Sequence, residues 1–77
     1  MKKWTSIETG IHTDGNGNYI EFVRRGGYDA SVYELRTEVD GRAWAFDLHE
    51  CDGIAEAITR ADRMLAKLAR GWRPVNW

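Results

Sequence analysis

Residues 32–48 read Val32-Tyr33-Glu34-Leu35-Arg36-Thr37-Glu38-Val39-Asp40-Gly41-Arg42-Ala43-Trp44-Ala45-Phe46-Asp47-Leu48. Asp40-Gly41 suits the centre of a two-residue type I′ turn, where both central residues need φ > 0. If Val39 faces Arg42, the pairing runs back through Thr37–Trp44, Leu35–Phe46 and Tyr33–Leu48, with every large apolar side chain on one face. The other face then carries Glu34 opposite Asp47, Arg36 opposite Ala45 and Glu38 opposite Ala43. One turn thus sets a register, a core face and a charged face.

Two further strands are expected upstream. Lys3 to Ile11 alternates, with Thr5, Ile7, Thr9 and Ile11 on one side and Trp4, Ser6 and Glu8 on the other. Asp14-Gly15-Asn16-Gly17-Asn18 is a dense turn signal. Tyr19 to Arg25 follows as a strand, broken by Gly26-Gly27-Tyr28-Asp29. Four strands with short connections favour an antiparallel meander.

Downstream of Leu48 the period changes. Ile54, Ala57, Ile58, Ala61, Leu65 and Leu68 recur at three- and four-residue steps, which predicts a helix over 53–70 with one buried stripe. Asp52 suits its N-cap and Gly71 its C′ position, with Trp72 placed for the apolar contact after the cap and Pro74 blocking continuation. A helix of roughly 18 residues spans about 27 Å, enough to cover one face of a small sheet. The expected fold is therefore α+β, a two-layer ββββα domain over residues 1–77. Its antiparallel meander sheet lies within 3–48, one helix packs on one face, and 71–77 forms a short tail. The second sheet face is left to solvent or to a partner.

The chain of 77 residues is one domain, near the lower limit for a single unaided core. Its lone Cys51 excludes an internal disulfide and suits a reducing cytoplasm. No apolar run is long enough to span a membrane, and the Met-Lys-Lys-Trp-Thr-Ser start does not read as a secretory signal. Charge is unevenly placed. Residues 1–52 hold ten acids and six bases (−4) and residues 53–77 two acids and five bases (+3), which sums to the net −1. Either two faces meet different surroundings, or the helix simply tolerates Arg and Lys well.

No constellation points to catalysis, a cofactor or a metal. His49-Glu50-Cys51-Asp52 is the densest group of ligand-type residues, but it matches no zinc spacing, and the other histidine, His12, lies in an early loop. Cys51 and His49 point the same way in an extended segment, yet no neighbour supplies an oxyanion hole, and a structural cysteine is the simpler reading. Gly15-Asn16-Gly17 joins two strands, so it reads as a hairpin turn rather than a phosphate loop.

Two binding surfaces remain. Arg24-Arg25 beside Tyr28, and Lys2-Lys3 beside Trp4, have the composition of a nucleic-acid contact. Gly10-Ile11-His12, Tyr19-Ile20-Glu21-Phe22-Val23-Arg24 and Gly41-Arg42-Ala43-Trp44-Ala45-Phe46, followed by a helix, resemble the three-stranded DNA-binding domains of plant ethylene-response factors and the arm domains of tyrosine recombinases. That resemblance implies DNA contacts through Arg24, Arg25 and Arg36. Those families carry a basic sheet face, whereas the strands here supply Glu21, Glu34, Glu38 and Asp47, which disfavours a phosphate partner. Such an acidic face is either merely solvated or docks on a basic partner, with Tyr19 and Tyr28 as aromatic anchors.

In size, absence of active-site motifs and acidic face, the chain resembles small phage- or mobile-element-encoded inhibitors of the anti-CRISPR type. The resemblance implies a non-enzymatic protein in a bacterial host cytoplasm, acting sterically or as a DNA mimic. Glu21, Glu34, Arg36, Glu38 and Asp47 would occupy a basic nucleic-acid-binding surface on a host protein or ribonucleoprotein such as a CRISPR effector. A homodimer is a third reading. Trp72 and Trp77 are either apolar surface seeking a mate or fold back on the helix, and identical edge strands are able to pair, the first strand included.

Overall fold

A computed structural model describes residues 4–24 and 31–75, and the backbone alone of Arg24 and Ser31. The fold is the two-layer α+β meander with a C-terminal helix, built on five strands rather than four. These are β1 (Thr5–Glu8), β2 (Ile11–Thr13), β3 (Tyr19–Arg24), β4 (Ser31–Val39) and β5 (Arg42–Asp47), ordered β1-β2-β3-β4-β5 with every neighbour antiparallel. Helix α1 follows at Ile54–Ala69.

The extra strand comes from the segment expected to run unbroken from Lys3 to Ile11. The chain instead reverses at Thr9-Gly10, so that Glu8 faces Ile11 and Ser6 faces His12, with a bulge between Ser6 and Glu8. Gly10 takes φ +78, open to a residue without Cβ, and its carbonyl accepts the Phe22 amide at 2.8 Å. Strand alternation continues in phase through this turn and conceals it.

The β4–β5 hairpin has the expected register throughout. Val39 faces Arg42, Thr37 faces Trp44 and Leu35 faces Phe46, while Glu34 faces Asp47. Asp40 (φ 53) and Gly41 (φ 79) both adopt the left-handed conformation that a type I′ turn demands. Leu48 extends the ladder by donating its amide to the Tyr33 carbonyl at 2.9 Å. The turn at Asp14–Asn18 is held by its own side chain: Asp14 Oδ1 accepts the Asn16 amide at 2.8 Å, and Oδ2 accepts Asn18 Nδ2 at 2.7 Å.

The core lies between α1 and the β3–β4 centre of the sheet. Ile20 and Leu35, registered opposite each other, are fully buried beneath Ala57, Ala61, Leu65 and Leu68 of the helix. The two alanines let the helix approach closely. Leu48 closes the cluster on one side, and Trp4 latches the other by donating Nε1–H to Asp62 at 3.0 Å.

Asp52 is not the N-cap. Gly53 holds that place in an extended conformation without a side-chain bond, and the orphan amide of Asp52 is taken by Glu56 Oε2 at 2.7 Å. At the other end the expectation for Gly71 is met. It adopts φ +98, Trp72 donates its amide to the Lys67 carbonyl at 3.0 Å, and Gly71 donates to Leu68 at 3.1 Å, the two bonds of a Schellman cap. No helix among the described residues is long and apolar enough to cross a membrane.

Candidate functional site

Strand alternation puts two rows on the sheet face away from α1. The first holds Ile11, Glu21, Glu34 and Asp47, paired strand to strand; the second holds Thr13, Tyr19, Arg36 and Ala45. Glu38, opposite Ala43, lies one step beyond. With strands about 4.8 Å apart, three carboxylates line up across about 10 Å.

The structure thus brings Glu21, Glu34, Arg36, Glu38, Asp47 and Tyr19 onto one face, but not as four equivalent outward carboxylates. Arg36 reaches over the first row, with Nε 2.8 Å from Glu21 Oε2 and Nη2 3.5 Å from Glu34 Oε1. Arg36 lies between Glu34 and Glu38 on its own strand, and the cross-strand register adds Glu21 of β3 as its nearer partner. Glu34 is only 8 % exposed although the helix lies on the other side, and Val32 beside it is buried as well. The expectation that Glu34 stands free as a contact group is therefore corrected. Asp47 remains exposed, with Oδ1 accepting the His49 amide at 2.6 Å, and steadies the backbone where His49 turns through φ 64. Glu38 is exposed and makes no ion pair or hydrogen bond through its side chain among the described residues. Among the described residues, acids outnumber bases on this face.

Next to Glu38 the surface is hollowed into a groove of about 420 Å³, with Tyr19 and Arg36 on one wall and the short side chains of Ala43 and Ala45 on the other. Tyr19 is 41 % exposed there. The face therefore offers an exposed carboxylate, an aromatic ring and room for an incoming side chain within one patch.

The remaining candidates are dispersed or lie elsewhere. Tyr28, Arg25, Lys2, Lys3, Trp77 and the Arg24 side chain fall outside the described residues, as does Gly26-Gly27. Arg36, shared by the acidic and the DNA-binding readings, is committed to carboxylates. His49 and Cys51 do not pair: the Cys51 thiol donates to the carbonyls of Leu48 and His49, at 3.5 and 3.6 Å. Burial pushes that thiol above its ordinary pKa, against the pull of Arg60. Among the described residues no group of three or more His, Cys, Asp and Glu side chains could hold a metal ion.

Sequence patterning did not reveal a second feature, an aromatic ladder on the helix side of β5. Arg42 lies 5.0 Å from the Trp44 ring centre, Trp44 stacks on Phe46 at 5.8 Å, Phe46 meets Trp72 at 6.3 Å, and Lys67 Nζ sits 4.6 Å from the Trp72 ring. Trp72 thus folds back on the domain. The period-2 placement of Trp44 and Phe46 was the available signal, but only the helix cap carries Trp72 to them.

Compared with family models, curated proteins and solved structures, the chain matches none.

Proposed function

We propose that the protein is a non-catalytic binding module that docks its acidic sheet face on a basic surface of a partner macromolecule. The observation that carries this reading is the position of α1. All helix packing is on one side of the sheet, so Glu21, Glu38, Asp47 and Tyr19 stand on a face that no described element covers. The excess of acids there among the described residues favours a cationic partner and speeds encounter, while the groove between Tyr19 and the two alanines accepts a partner side chain. In its specific form, the partner is a nucleic-acid-binding protein or ribonucleoprotein, and occupation of its phosphate-binding surface inhibits it in the manner of an anti-CRISPR protein.

Glu34 is buried, so the informative variant is Glu38→Lys with Asp47→Lys. The purified protein is titrated against purified CRISPR effector complexes, and inhibition of target-DNA binding is followed in parallel. The double variant is expected to keep its circular dichroism spectrum and to bind more than about tenfold more weakly, a change of about 1.4 kcal/mol or more. Unchanged binding by the folded variant would remove the face as the site. Retention of duplex DNA by the protein alone at physiological salt would instead favour the DNA-binding reading.

A further inference from the structure

The two edges of the sheet differ. β1 is four residues long and broken by a bulge between Ser6 and Glu8, a device that blunts an edge against pairing. β5 runs six residues in unbroken register with β4, contains no proline, and has no second neighbour in the sheet among the described residues.

Which backbone groups β5 leaves open follows from the turn. In a two-residue hairpin the flanking pair is hydrogen-bonded, so Val39–Arg42, Thr37–Trp44 and Leu35–Phe46 exchange the ladder bonds. The Leu48 amide on the Tyr33 carbonyl agrees with this phase. The amides and carbonyls of Ala43, Ala45 and Asp47 therefore point away from β4, and all three residues are exposed.

We propose that β5 pairs antiparallel with β5 of a second copy, about a two-fold axis at Ala45, merging two five-stranded sheets into one. In this register Ala45 faces the partner's Ala45, and Ala43 faces the partner's Asp47. Every outward residue then meets an outward residue, and each pair exchanges both N–H···O bonds. Shifting the axis to Trp44 pairs Asp47 with Gly41 of the turn, and shifting it to Phe46 pairs Ala43 with His49, where the backbone has left the strand at φ 64. An axis at Asp47 would set two carboxylates against each other. The Ala45 axis opposes no like charges and places Trp44 across from the partner's Phe46 twice, on the helix side, as aromatic cross-strand pairs. Alanine at 43 and 45 leaves the approach unobstructed on the other face. A second copy is favoured over an unrelated strand because the match is self-complementary, and a net charge of −1 per chain scarcely opposes it. The dimer would carry both acidic faces on the same side, but its existence does not depend on what that face binds.

Sedimentation of the full chain over a concentration series, with no partner present, tests the pairing. A monomer–dimer equilibrium is expected, and a monomer even at about 1 mM overturns the proposal. Ala45→Pro removes an outward N–H while sparing the β4 ladder, and is expected to weaken the dimer at least about tenfold; a folded variant that still dimerises normally also overturns it. Ala45→Cys in a Cys51→Ser background puts two thiols on paired Cα atoms about 5.5 Å apart. It is expected to cross-link to itself with a short bis-maleimide. Ala43→Cys, displaced from its symmetry mate by four residues or about 14 Å along the strand, is not. Cross-linking at both positions or at neither rejects this register, whatever the proline variant does.

Discussion

Arg36 donates to Glu21 and Glu34 from the middle of a face whose other charges are acidic. Without it a nearly buried carboxylate loses a cation and three acids in one row repel one another, a cost that the half-exposed guanidinium and its hydration moderate. Arg36→Ala is expected to lower the urea unfolding free energy by about 1 kcal/mol, and the loss should shrink when Glu21 is also replaced by Gln. Glu56 shows the same logic at the helix start. The hydrogen bond from the Asp52 amide holds its carboxyl below the ordinary 4.5; burial opposes this, and Arg60 at 2.8 Å adds to the lowering. The folded protein therefore binds this proton less readily than the unfolded chain. The resulting stability is present above the unfolded value and is lost as pH falls through the lower, folded one. Acid titrations of stability should fall less steeply below pH 4.5 in Glu56→Gln than in the parent. Neither environment was legible in the chain: residues 34 and 36 announce a charged strand face, but burial of Glu34 and the choice of Glu21 over Glu38 depend on neighbours from another strand.

Among the elements, the β4–β5 hairpin was fully legible, since its turn chemistry and side-chain alternation agree on one register. Gly41 is the test of that reading. It sits at φ +79, and no atom lies within 4 Å of the place a methyl group would take, so only backbone conformation opposes a side chain there. Gly41→Ala is expected to cost about 1 kcal/mol in chemical denaturation, and a synthetic chain with D-alanine at 41 to recover it. The first strand misleads for a related reason. Thr5, Ile7, Thr9 and Ile11 keep strand alternation in phase across the Thr9-Gly10 reversal, and a single glycine is the only sign of a turn. The helix was legible in its stripe and its Gly71 stop. Its start was not, because Asp52 suits a cap but the chain leaving His49 orients Glu56 to bind the Asp52 amide instead.

In the assembled domain, the stripe of α1 closes over Ile20 and Leu35, the two largest side chains with no exposure among the described residues. Leu35→Ala is expected to destabilise by about 2–5 kcal/mol in denaturant titration, a large fraction of what so small a domain possesses. Placing the helix on this face is what frees the acidic one, and the meander order is what makes β5 an edge. Alternation and period, which are local properties of the chain, already determined that the β4–β5 hairpin has an apolar face, that Glu34, Glu38 and Asp47 share the opposite one, and that an amphipathic helix follows; the strand Tyr19–Arg25, apolar on both sides, took its orientation from pairing with β4. Tertiary structure alone decided that Glu34 is buried, that Arg36 bridges β4 to β3, that Trp72 completes an aromatic ladder on β5, and that β5 rather than β1 is the regular open edge. Those outcomes require segments distant in the chain to meet, and the energy of each contact depends on what its neighbours exclude from water.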